Sequence, residues 1–133
     1  MHNLKTFQKG LKEPVSEATP HFNIVEFECK CSKQHDNQID LELVEKLELL
    51  RAACGHKPIK INSAYRCFDH NKAVGGSKGS KHMEGIAADI VIQGVDPRKA
   101  AVKAAMVGFT GIGIYKTFTH VDIRTEPSVW IGE

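Results

Sequence analysis

Ser80-Lys-His-Met-Glu-Gly-Ile-Ala-Ala-Asp89 runs from a polar turn into an apolar strand and carries two metal-ligand residue types within eight positions. His82 offers an imidazole nitrogen and Asp89 a carboxylate oxygen, both common ligands of zinc. Gly85, between them, can adopt backbone angles closed to other residues, so the segment can turn sharply and bring both side chains to one point. From Ala87 onward the pattern is that of a strand. Ala87, Asp89 and Val91 face one way and Ala88, Ile90 and Ile92 the other, so the second set enters a core while Asp89 points away from it. One His and one Asp equally suit a surface histidine and a strand-edge aspartate, so the reading depends on what else converges there.

Downstream, Phe118-Thr-His-Val-Asp-Ile-Arg124 alternates in the same way. Val121 and Ile123 take one face, leaving His120, Asp122 and Arg124 on the other. Such a face is either a solvated edge or the place of a third ligand. In the second case His82, Asp89 and His120 form a three-ligand set with a fourth position open, the arrangement of catalytic zinc. Gly111-Ile-Gly-Ile-Tyr115 precedes this strand with only Lys116 and Thr117 between, which predicts an antiparallel hairpin. Upstream, Pro58 introduces a half-buried strand over Ile59–Ser63, which Ala64-Tyr65-Arg66 leave at its end. Cys67 to Lys81 is rich in Gly and Ser and reads as a loop on a cleft rim; it lacks the Gly-Lys-Ser/Thr of a phosphate loop. Asp40 caps a helix with Leu43, Leu47, Leu50 and Cys54 at helical spacing, stopped by Gly55. Asp96-Pro97 opens a second, Ala-rich helix ending at Gly108.

The chain has 133 residues, the size of one domain with one core. Residues 1–20 are polar, hold Pro14 and Pro20 and show no period, so they read as a flexible tail before a domain over 21–133. Phe22, Ile24, Val25 and Phe27 form an apolar cluster that pins the next segment. With 18 basic and 16 acidic residues, the net charge of +2 is too small to argue for nucleic acid and is at most compatible with an anionic polymer as substrate. No stretch has the form of a signal peptide or reaches the ~18 apolar residues of a membrane helix, so the expectation is a monomer made in the cytoplasm, without membrane or nucleic-acid partners. Four cysteines, at 29, 31, 54 and 67, lack zinc-ribbon spacing. At least one of Cys29 and Cys31 is expected near Cys67, as a disulfide, a second soft-metal site or packed thiols. His2, His21, His35 and His56 read as solvated, and Trp130 as a cleft wall or a packing anchor.

Taken together, Ser63-Ala-Tyr-Arg66, Asn71 with Val74-Gly75-Gly76, Ser80-x-His82-x-x-Gly85-x-Ala87-Ala88-Asp89, and Gly113-Ile-Tyr115 leading into His120-Val-Asp122 resemble the zinc D-alanyl-D-alanine carboxypeptidase family, peptidase family M15, and its phage and prophage endolysin-like subgroup. The resemblance runs from about Phe22 to Trp130. It implies an α+β fold shared with Hedgehog signalling domains: a small antiparallel β-sheet with helices on one side and a zinc cleft on the other. It also implies Zn2+ held by His82, Asp89 and His120, with Arg66 holding a substrate carboxylate or polarising a carbonyl beside Ser80 and Ser63. The implied reaction is hydrolysis of a peptide bond in peptidoglycan stem peptides or their precursors, and the alternative is a metal-stabilised binding module of a phage or prophage particle. Release to the cell wall at phage lysis, or carriage in a virion, would follow.

One departure stands out. Endolysins and dipeptidases of that family place a Glu or Asp base three residues before the last ligand histidine, where this chain has Thr117; its carboxypeptidases use a His five residues before, where this chain has Tyr115. Asp122, two residues past His120 on the same face, is the remaining carboxylate that could act as base or orient an imidazole. Tyr115 suits hydrogen-bond donation to a developing oxyanion.

Overall fold

The computed structural model describes residues 3–132. Its first element is a strand: β1 (Leu4–Phe7) pairs antiparallel with β2 (Asn37–Asp40), with Leu4 opposite Asp40 and Phe7 opposite Asn37. Phe7 and Val15 are buried in the main core, so residues 3–20 pack against the domain and the expected flexible tail is corrected. The cause is local. Two apolar side chains suffice because β2 supplies the ladder partners that a four-residue strand needs. His2 lies outside the described residues. After Asn23, whose side chain and Glu26 form a capping box, Ile24–Phe27 make one 3-10 turn that drives Ile24 and Phe27 into the core.

Asp40 ends β2 and caps α1 (Leu41–Ala53), accepting from the Glu42 N–H. Leu43, Leu47 and Leu50 are fully buried along one helix face, where truncation to Ala would cost about 2–5 kcal/mol each. Gly55, at φ +74°, stops the helix. β3 (Ile59–Ser63) follows, then α2 (Phe68–Ala73), a short helix inside the stretch expected to be loop throughout. Six mixed-polarity residues carry no readable period; the helix is set by Cys67 at its N-cap, whose sulfur accepts the His70 N–H at 3.4 Å. β4 (Ala87–Ile92) and α3 (Pro97–Met106) come next, α3 capped by Asp96 with Pro97 in its first turn. β5 (Gly111–Ile114), β6 (Thr119–Asp122) and β7 (Ser128–Ile131) finish the chain.

β3, β4, β6, β5 and β7 form one sheet in that order. The β5–β6 pair is the expected antiparallel hairpin, but β7 pairs parallel to β5, so the fold is α+β with a mixed edge on an otherwise antiparallel sheet. Ala88, Ile90, Ile92, Val121 and Ile123 join the core on the face covered by α3, and α1 packs beside α3 and β2. Asp89, His120 and Asp122 occupy the opposite face. In the β4–β6 register Asp89 stands directly across from His120.

Candidate metal centre and cleft

His82 sits on a 3-10 turn (Lys81–Glu84) opened by Ser80, whose hydroxyl accepts the His82 N–H at 3.2 Å. Gly85 leaves that turn at φ +76°. A Cβ there would lie 2.8 Å from the Gln38 carbonyl oxygen, and the Gly85 carbonyl accepts the Asp40 N–H at 2.8 Å, so the glycine both makes the turn and lets it press against β2. The His82 Nδ1–H donates to the Ala64 carbonyl at 2.7 Å, which fixes the tautomer and aims Nε2 at Asp89 Oδ1, 3.3 Å away. From β6, His120 Nδ1 reaches the same oxygen at 2.9 Å. The three ligand atoms lie within 4.8 Å of one another and all three residues are buried.

Zinc bonds of ~2.0–2.1 Å at tetrahedral angles put neighbouring N and O ligands ~3.3 Å apart, close to the separations found. Each ligand group has its other polar atom bonded to protein, as ligands of a held metal do. His82 uses Ala64. Asp89 Oδ2 accepts from Arg66 Nη2 at 3.3 Å, and His120 Nε2–H donates to Asp122 Oδ2 at 2.7 Å. The cluster fits Zn2+.

Charge is arranged to match. Burial alone would raise the Asp89 pKa, but the His120 and His82 imidazoles against it, His120 first, outweigh burial and hold the carboxyl well below the usual carboxylate range. Burial likewise disfavours a charged His120, and is outweighed by Asp122 and Asp89 on its two ring nitrogens, which raise its pKa. Asp122 is also pushed down, since against burial stand the Arg124 guanidinium and His120.

Asp122 is fully buried and its oxygens are all engaged: Arg124 donates Nε to Oδ1 at 2.9 Å, Nη2 to Oδ2 at 2.7 Å and its backbone N–H to Oδ1 at 3.0 Å. It lies behind His120 and is not part of the cleft lining. Ser63 is also off the lining, and its hydroxyl accepts from Arg66 Nε at 3.2 Å. Arg66, Ser80 and Tyr115 do line the cleft, which has a volume of about 500 Å³ and opens over the three ligands. Asn71 accepts from Arg66 Nη1 at 3.3 Å and donates to the Ser77 carbonyl at 2.8 Å, anchoring the glycine-rich rim. Gly76 is required there because a Cβ would come within 2.1 Å of Asn71 Oδ1.

The far wall is built on absent side chains. At Gly111 a Cβ would lie 1.9 Å from Asp122 Oδ1, and at Gly113 it would lie 2.7 Å from the Trp130 ring. Trp130 therefore lies flat on β5 as a wall, packed at 5.2 Å centroid distance against His120 and 4.9 Å from the Arg124 guanidinium carbon. Its Nε1–H donates to the Tyr115 hydroxyl at 3.0 Å, leaving the phenol O–H free to donate elsewhere. His70 is not on the lining. His21 bonds Glu48 at 2.8 Å, and His35 lies 3.0 Å from the Cys31 sulfur, which corrects its reading as a solvated residue.

A family model described as Peptidase M15 matches residues 20–123, most of the chain. The chain belongs to the M15 peptidase family. A 45-residue stretch of this M15 chain is 47% identical to the "Zinc D-Ala-D-Ala carboxypeptidase" of Streptomyces albus G, covering 34% of this chain and 18% of that protein. The match thus spans less than a fifth of that relative's length, and it agrees with a metal centre of the zinc type in the M15 fold.

Proposed function

We propose that the protein is a zinc-dependent peptidase that hydrolyses a peptide bond in bacterial cell-wall peptidoglycan, of the D-alanyl-D-alanine carboxypeptidase or endolysin type, with a stem peptide or its precursor as substrate. The convergence of His82, Asp89 and His120 under an open cleft, with Arg66 beside them, carries this reading. His82 Nε2, an Asp89 oxygen and His120 Nδ1 would hold the ion. When bound, zinc supplies Lewis acidity, polarising a carbonyl and lowering the pKa of water toward ~7.

The remaining chemistry belongs to side chains. Arg66, anchored by Ser63 and Asn71, presents a planar fork to a substrate carboxylate or carbonyl. Tyr115 donates its hydroxyl proton as a hydrogen bond to the oxygen on which negative charge develops. Asp122 is a positioning residue: with both oxygens held by Arg124 and His120 it keeps the His120 ring oriented, a place that does not suit the base expected from sequence. Phage or prophage origin and action at lysis extend the same proposal.

A second reading draws on one observation. Among the described residues, Asp89 is the only carboxylate on the cleft lining, so a cleft that binds a wall peptide without cleaving it also fits. Incubating zinc-loaded protein with purified peptidoglycan and with synthetic stem peptides, then identifying new amino and carboxyl termini by mass spectrometry, separates the two. New termini absent with His120→Ala support the peptidase. Binding without new termini supports the module.

A further inference from the structure

We propose a second, structural zinc site formed by Cys29, Cys31, His35 and Cys67. The Cys29 and Cys67 sulfurs are 3.8 Å apart, those of Cys67 and Cys31 4.0 Å, and Cys31 Sγ lies 3.0 Å from His35 Nε2. All four ligand atoms fall within 4.8 Å of one another. Zinc–sulfur bonds of ~2.3 Å at tetrahedral angles require sulfurs ~3.8 Å apart, and a zinc-bound sulfur and nitrogen ~3.5 Å apart. A disulfide needs ~2.05 Å, and all four cysteines are free, so the packing is that of ligands around a common centre and not of a bonded pair. Three thiolates and one imidazole make a closed set with no position for substrate, the form of a structural site.

The surroundings are those of held ligands. The His35 Nδ1–H donates to the Asp36 carbonyl at 2.9 Å, leaving the Nε2 lone pair toward the cluster, and Tyr65 packs edge-on against the ring at 6.2 Å. Backbone N–H groups of Cys67 and His70 donate to the sulfurs of Cys29 and Cys67, each at 3.4 Å. Lys9 Nζ lies 3.1 Å from Cys31 Sγ and also bonds the Cys31 and Lys33 carbonyls. Three thiolates, a neutral imidazole and Zn2+ carry one net negative charge, which Lys9 offsets. The ion would tie the segment after the first 3-10 turn to Cys67, the residue that follows Arg66 and caps α2.

The test is independent of peptidase activity. Wild-type protein purified from zinc-replete cells should carry two zinc ions per chain by elemental analysis and native mass spectrometry, and His82→Ala/His120→Ala should keep one. Cobalt(II) loaded into either protein should give sulfur-to-cobalt charge-transfer absorption, which a His/Asp/His centre cannot produce, and Cys31→Ser/Cys67→Ser should abolish it. The wild-type spectrum needs no substitution, so a variant that fails to fold leaves the test intact. One zinc per wild-type chain with no sulfur-to-cobalt band, whether the thiols are free or oxidised, overturns the site.

Discussion

Gly111→Ala adds one methyl group to a residue that touches neither ion nor substrate, and it should damage the metal centre. The new Cβ would stand 1.9 Å from Asp122 Oδ1 and 2.2 Å from its Cγ. Ordinary contact begins near ~3.5 Å, so the carboxylate must retreat by ~1.6 Å. It cannot do so cheaply, because it is fully buried and held by His120 and Arg124 at 2.7–3.0 Å. Such a shift lengthens those bonds past the limit of a hydrogen bond. Breaking a buried ion pair costs about 3–5 kcal/mol, against a gain of about 0.5–1 kcal/mol when glycine leaves a strand interior. The net expectation is a loss of about 2–4.5 kcal/mol, with zinc affinity falling about 10–100-fold as His120 loses its orienting partner. Urea unfolding and competitive zinc titration measure the two effects. The decisive comparison is Gly111→Ala in an Asp122→Ala background, where the clash is gone and the added methyl should be neutral or stabilising. If the two substitutions are additive within about 0.5 kcal/mol, the steric argument is refuted.

Arg66→Lys should retain zinc but lose about 10–100-fold in kcat/KM, mostly through KM for peptides with a free carboxylate, since an ammonium cannot reproduce the fork; an unchanged KM would remove Arg66 from substrate binding. Asp122→Asn should weaken zinc about 10–100-fold and regain activity at saturating metal; full zinc retention with a kcat loss that excess metal does not rescue would restore it as the base. Tyr115→Phe should leave metal content unchanged and lower kcat by about 10²-fold at most, and a rate equal to wild type excludes the hydroxyl from the reaction. Without metal, the raised His120 pKa contributes stability that is complete below the unfolded value of ~6.5 and is lost as pH rises through the folded one. Asp89 and Asp122, depressed, contribute stability that is present above ~3.9 and lost as pH falls through their folded values. Zinc binding requires neutral imidazole, so between about pH 6 and 8 the melting temperature should fall for chelated protein and rise for zinc-loaded protein; parallel trends would contradict the assignment.

Strand alternation gives the facing of the strand residues at the site. The pattern over Ala87–Ile92 and Phe118–Arg124 put Asp89, His120 and Asp122 opposite the core, and the structure has them there. What alternation cannot give is depth along the site face: His120 and Asp122 read alike on a two-residue period, yet one lines the cleft and the other sits sealed behind it. The parallel β7 was hidden because its four residues are largely exposed and its partner is set by packing on Gly113. β1 was hidden because Leu4 and Phe7 acquire a strand only through β2, more than thirty residues on. The sequence points to at least one of Cys29 and Cys31 near Cys67, and both are there, whereas His35 gives no signal, since its partners come from a loop without periodicity.

The register of β4 against β6 does more than bring two ligands together. Slipping β6 by one residue would turn Val121 to the cleft and His120 into the core, and a two-residue slip would set either Asp122 or Phe118 across from Asp89 in place of His120. The first misalignment exposes an apolar residue and buries an imidazole; the others oppose two carboxylates or leave a ring where a ligand should be. None can close the ion's coordination. Zinc present while the chain collapses would therefore proofread the β4–β6 pairing, stabilising one alignment out of several by the whole of its binding energy and leaving the misregistered ones to melt and try again.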